Sequence, residues 1–145
     1  VDPATAAKQD FMPLMRELVR AYQAFVDFDA QAHRAAGVTS SQADVIFTLG
    51  NTEGLTFKEI GERTLITKGT LTGVIDRLEK KALVKRVSYP EDRRCTRVML
   101  TPKGARFFER QFPRHVEHLK TRFDRLSDDD RREALAALQK LRAVF

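Results

Sequence analysis

Apolar residues recur along most of this chain at helical spacing. From Asp10 onward Phe11, Leu14, Leu18, Tyr22, Phe25 and Asp29 fall three or four apart, with Met15, Val19 and Val26 widening the stripe. This pattern predicts one long helix ending near Gly37, with Pro13 in its first turn and Asp10 as its cap, after a frayed or partly helical Val1 to Lys8. So broad a stripe needs a surface to cover it, either the carboxy-terminal helices or a second subunit. Thr39-Ser40-Ser41-Gln42 has the form of a capping box, and Val45, Ile46 and Leu49 follow at helical spacing. They predict a second helix over about 39 to 50, closed by Gly50 to Gly54.

Two shorter helices come next. Thr56 and Glu59 form a second capping box opening a helix to Thr64, in which Gly61 suggests a close crossing by the following helix. Thr67 is read as the N-cap of a helix to Lys81, with Leu71, Val74, Ile75 and Leu78 on one face and Lys68, Thr70, Thr72, Asp76 and Arg77 mostly off it. Leu83 to Val87 and Arg97 to Leu100 then read as strands flanking a charged loop, Ser88 to Thr96. Beyond them Thr101-Pro102 starts a helix carried to Phe123 by Phe107, Phe108, Phe112, Val116, Leu119 and Phe123, with a bend expected at Pro113. Ser127 to Asp130 opens a last helix striped by Leu135, Leu138, Leu141 and Val144. The fold class is therefore mainly α with a small β-hairpin wing. Residues 39–101 form a winged helix-turn-helix lobe within a single domain spanning 1–145, and helices at 10–36 and 102–145 lie outside that lobe.

Composition narrows the chemistry. A chain of 145 residues, 42% of them hydrophobic, can bury the core of one domain. No apolar run reaches the roughly 18 residues of a membrane span, and the amino terminus lacks a basic segment leading into a hydrophobic one, so a cytoplasmic protein is expected. The single cysteine, Cys95, rules out an intramolecular disulfide, and His33, His115 and His118 have no metal-ligand spacing. No glycine-rich phosphate cradle, nucleophile elbow or cofactor motif is present, and neither an enzyme nor a cofactor is expected.

Charge carries the positive signal. From Arg63 to Arg106 twelve Lys and Arg stand against four acids, so this segment bears +8 in a chain of net charge +6. A basic centre between neutral-to-acidic flanks suits a polyanion reader. On the helix opening at Thr67, Lys68, Thr70 and Thr72 are placed to reach base edges in a major groove, and Arg77 to reach phosphate. Gly69 and Gly73 leave that helix few long polar side chains, so direct readout is modest and duplex shape must contribute. The competing reading is a winged-helix module for protein contacts, or one for non-specific or architectural DNA binding. Three arginines in one short stretch, Arg93, Arg94 and Arg97, argue against the protein-contact version, and the scarcity of aromatics there argues against RNA.

Asp92-Arg93-Arg94-Cys95-Thr96-Arg97-Val98-Met99-Leu100-Thr101 resembles the Asp-x-Arg, five spacers, Leu-Thr signature of the MarR (multiple antibiotic resistance regulator) family. Leu78-Glu79-Lys80-Lys81-Ala82-Leu83-Val84 is similar to that family's Leu-Glu-Lys-Lys-Gly-Leu-Val run, and Leu55 to Thr64 to its first helix-turn-helix element. The resemblance implies a homodimeric, ligand-responsive repressor of transcription on a pseudo-palindromic operator, dimerised through the helices at 10–36 and 102–145. It implies that Arg94 enters the minor groove with Asp92 orienting it. Arg93, Arg97, Lys85 and Arg86 would then serve phosphates, unless one or two of them form surface ion pairs with Glu91 or Glu79. Gly73 stands where the family often has a longer polar residue. A small aromatic or phenolic effector is implied as well, for which Asp44, His33 and Arg34 are the polar candidates. Phe47, Phe108 and Phe112 are candidate lining residues that could equally be plain core. Oxidation-sensing relatives carry their cysteine near the start of the first helix, where this chain has none; Cys95 instead sits among arginines at the wing base.

Overall fold

The computed structural model describes residues 1–64, 66–89 and 91–145, and of Asp92, Arg93 and Arg94 the backbone alone. The chain divides into two compact units, Val1–Ser40 and Ser41–Phe145. In the first, a short helix α1 (Pro3–Ala6) is capped by Asp2, whose carboxylate accepts from the Ala4 and Thr5 amides. The long helix α2 (Met12–Ala35) follows with Pro13 in its first turn. Its N-cap is Phe11 in αR geometry, and no side chain caps it. The chain already turns helically before α2, the Met12 amide bonding to the Gln9 carbonyl, so Asp10 has no extended cap position from which to act. The far end closes at Gly37, with φ +79°, where the Val38 amide returns to the His33 carbonyl and the Gly37 amide to that of Arg34.

The second unit holds the winged helix-turn-helix lobe. Helix α3 (Ser40–Leu49) buries Ala43, Val45, Ile46 and Leu49. Strand β1 (Leu55–Thr56) leads into α4 (Phe57–Thr64), and α5 (Lys68–Lys80) follows. Strands β2 (Val84–Tyr89) and β3 (Asp92–Leu100) make the wing, and β1 joins them in an antiparallel sheet ordered β1-β3-β2. Leu55 pairs with Val98 and Thr56 with Arg97, while β2 runs from Val84 opposite Leu100 to Ser88 opposite Thr96. Past Ser88 the register shifts, so that Tyr89 faces Asp92. Ile60, Leu71, Ile75, Leu78, Val84 and Val98 are almost wholly buried and weld α4, α5 and the sheet together.

Local expectations fare unevenly. The Thr56/Glu59 box forms as expected: the Glu59 amide reaches Thr56 Oγ1 at 3.2 Å and the Thr56 amide reaches Glu59 Oε1 at 3.2 Å. Thr67 holds the N-cap position of α5, but its hydroxyl donates to Thr70 Oγ1 at 3.1 Å and caps no amide. Gly61 is not forced by close packing, since a Cβ there would lie 3.7 Å from the Ile66 carbonyl and 3.9 Å from Leu71, both ordinary contacts. The strands outrun the expected ones, and the third strand, β1, was not foreseen.

Helix α5 ends in a Schellman turn, with the Leu83 amide on the Leu78 carbonyl and the Ala82 amide on that of Glu79. Such a turn needs a left-handed residue, and here Ala82 supplies it at φ +59°. An L-residue is strained in that region by about 1–2 kcal/mol, offset in part by alanine's stiffer unfolded chain. Ala82→Gly is therefore expected to stabilise the fold by about 0.5–1 kcal/mol in urea denaturation; a loss of stability would mean that the turn is relaxed with alanine in place.

Helix α6 (Pro102–Phe123) runs unbroken through Pro113 and is capped by Thr101, whose hydroxyl accepts from the Gly104 amide at 3.0 Å. Helix α7 (Asp128–Arg142) is capped by Ser127 through the Asp130 amide. Arg131 ties the α6–α7 turn by donating to the carbonyls of Phe123 and Leu126.

Candidate nucleic-acid interface

Helix α5 divides its residues by face. Leu71, Val74, Ile75 and Leu78 are buried, which leaves Lys68, Thr70, Thr72 and Arg77 exposed. Arg77 folds back along its own helix, with Nη2 3.5 Å from where a Cβ on Gly73 would stand. A Cβ at Gly73 would meet that guanidinium at ordinary contact distance. The Thr70 hydroxyl is already engaged, accepting from that of Thr67.

The wing cations separate into two groups. Lys85 is exposed on β2. Arg86, next to it and also exposed, is ion-paired with α5: Nη2 lies 2.5 Å from Asp76 Oδ1, Nη1 lies 3.6 Å from Glu79 Oε1, and the guanidinium stands 5.5 Å from the Phe57 ring centroid. Arg97 is half-buried, its guanidinium 4.9 Å from the centroid of Tyr89. It also contributes to the environment of Glu59. The Thr56 backbone and hydroxyl bonds hold that carboxyl below its ordinary range, and the charges of Arg97 and Arg63 add to them. The side chains of Asp92, Arg93 and Arg94 lie outside the described residues.

The effector candidates fall into two sets. Phe47, Phe108 and Phe112 do come together: Phe108 and Phe112 stack at 5.3 Å, and Phe47 meets Phe112 edge-on at 5.3 Å. Phe108 lies so close to Gly50 that a Cβ there would fall 2.3 Å from its ring. The sequence reading missed the fourth member, His115, whose ring is 5.2 Å from Phe47. Its place seven residues after Phe108 and three after Phe112 is the helical spacing that could have pointed to it. Asp44 is exposed on α3. His33 and Arg34 belong to the first unit, where Arg34 is exposed and His33 is buried with Nε2 3.0 Å from Asp29 Oδ2. The helix-end location expected for His33 is right, but the side chain is not a surface one.

An amphipathic second helix, a preceding helix packed across it and a basic antiparallel wing together define a winged helix-turn-helix protein. The model of the MarR family matches residues 36–94. The helix-turn-helix transcriptional regulator PrsX of Escherichia coli is 30% identical over 131 residues, covering 89% of this chain and 78% of PrsX. This chain belongs to the MarR family and is a transcriptional regulator, not an enzyme. Among solved structures, Bordetella bronchiseptica BpsR, whose DNA binding is regulated by 6-hydroxynicotinic acid, is 28% identical with a TM-score of 0.78 over 89% of this chain and 98% of BpsR. Streptomyces coelicolor Sco3205, a MarR family regulator solved in complex with DNA, is 25% identical with a TM-score of 0.79 over 90% of this chain and 83% of Sco3205. Among the described residues, no helix is long and apolar enough to cross a membrane.

Proposed function

We propose that two copies of this chain bind a pseudo-palindromic operator in the cytoplasm and repress transcription by occupying the promoter. The observation that carries this reading is the face of α5 left open by its buried stripe, where Lys68, Thr70, Thr72 and Arg77 stand exposed beside the wing. Two such helices related by a two-fold axis read half-sites about one helical turn apart. Lys85 and Arg93 serve phosphates on the flanking backbone, Arg94 enters the minor groove, and Asp92 orients it. An effector releases the operator by favouring dimers whose recognition helices no longer match the half-site spacing. Phe47, Phe108, Phe112 and His115 offer an aromatic or phenolic effector its stacking surface. The regulation of BpsR by 6-hydroxynicotinic acid supports that chemical class.

Selection from a random duplex library at near-physiological salt tests the reading. An enriched inverted repeat supports a dimeric sequence reader, whereas salt-sensitive binding with no enriched sequence replaces it with architectural binding. On the selected operator, Arg94→Ala is expected to weaken binding by about 1–3 kcal/mol, roughly five- to 150-fold. Wild-type affinity in the folded variant dimer would remove Arg94 from the minor groove.

A further inference from the structure

Arg86 occupies an unusual place for a cation on a DNA-reading surface. Its side chain leaves β2 and meets two carboxylates of α5, Asp76 and Glu79, while its Cζ stands over the ring of Phe57 of α4. One residue of the wing therefore touches both helices of the helix-turn-helix. The three charges sum to −1, so the group as a whole repels phosphate, and a guanidinium matched this closely by carboxylates has little left to offer a DNA backbone. Asp76 and Glu79 are three residues apart, hence one turn apart on the same side of α5. A planar fork with Nη2 hydrogen-bonded to Asp76 and Nη1 within ion-pair range of Glu79 resists both sliding and rotation of the helix beneath the wing. Exposed ion pairs contribute little to overall stability, so the consequence of this arrangement lies in geometry.

We infer that Arg86 is a positioning residue: through Asp76, Glu79 and Phe57 it sets the recognition helix against the wing, so that both reach one duplex in register. The inference rests on the DNA-reading function proposed above and departs from a phosphate role for Arg86.

The two roles predict opposite signs. Removing an acid near DNA ordinarily tightens binding, yet a positioning role requires Asp76→Asn to weaken operator binding, by about fivefold, a size usual for indirect coupling. Arg86→Lys keeps the charge but loses the fork. It is expected to weaken operator binding by a similar factor, to leave the salt slope unchanged and to leave affinity for a scrambled duplex within about twofold of wild type. The double variant Asp76→Asn/Arg86→Lys should be no worse than Arg86→Lys alone, because that variant has already lost the Asp76 contact.

Equilibrium titrations of this chain, with selected and scrambled duplexes at several salt concentrations, read all of these quantities. Tighter binding by Asp76→Asn, or native operator affinity in Arg86→Lys, overturns the inference while leaving the DNA reading intact. Equal loss on both duplexes also overturns it, since a general structural defect would lower both. Absence of any duplex binding by the wild-type protein overturns the functional reading and this inference together.

Discussion

Gly104→Ala is expected to destabilise the protein by about 3 kcal/mol, the upper end for overpacking, and to lower the melting temperature by roughly 10 °C. A Cβ at this position would stand 2.0 Å from the Leu83 carbonyl oxygen and 3.0 Å from its carbon, with Leu100 Cδ2 at 3.3 Å. Backbone, not a side-chain tip, is in the way, so about 1 Å of main-chain movement is needed. That movement is opposed on all sides. Thr101 donates its amide to the Leu83 carbonyl and its hydroxyl to that of Ala82, while Lys103 Nζ donates to the Lys81 carbonyl. The start of α6 is thereby fastened to the turn that follows α5. Gly69→Ala makes the same chemical change on α5, where nothing lies within 4 Å, and should be neutral or slightly stabilising. Thermal and urea denaturation at one fixed protein concentration compares the two. A Gly104→Ala protein as stable as Gly69→Ala would mean that α6 does not seat on Leu83.

This junction also shows which parts of the fold are legible in a sequence. The capping box at Thr56 and Glu59 and the cap at Thr101 are local patterns, and both form. The stripe Leu71, Val74, Ile75 and Leu78 is periodic, and all four residues are buried. What lies opposite a residue is not local. Gly61 and Gly104 look alike as letters, yet a Cβ on one would meet the Ile66 carbonyl at an ordinary 3.7 Å and on the other the Leu83 carbonyl at 2.0 Å. Arg86 is ten residues from Asp76 in sequence, and only the turn between α5 and β2 brings them together. A strand of two residues has no period to detect, which is why β1 escapes notice. In the wing, β2 is buried chiefly at Val84 and its outer residues face solvent, so hydrophobic alternation fades before the strand ends. For the interface, the exposed α5 positions follow from the stripe itself. The engagement of Arg86 and Arg97 within the protein does not.

Leu18→Asp is expected to split the proposed homodimer, raising its dissociation constant by at least about a thousandfold, or about 4 kcal/mol. Along α2 and its N-cap, Phe11, Leu18 and Tyr22 form the middle of an exposed stripe flanked by Leu14, Met15, Val19, Phe25 and Val26. On a helical projection Arg20 and Asp27 fall on the opposite side. A contiguous apolar face of that length is seldom left to water, and a second copy is the partner that a pseudo-palindromic operator calls for. In a two-fold interface each substitution occurs twice, so Leu18→Asp would bury two carboxylates in an apolar seam. Because Leu18 is exposed in the single chain, the variant should still fold. Operator binding should collapse by a factor of about 10² to 10⁴, since the second half-site no longer benefits from the effective concentration that a joined partner provides. Sedimentation equilibrium and operator titration measure the two effects, with Arg20→Ala as the control from the opposite side. A Leu18→Asp protein that stays dimeric would move the subunit interface away from the α2 stripe. One that becomes monomeric yet keeps native operator affinity would show that a single copy suffices to read the DNA.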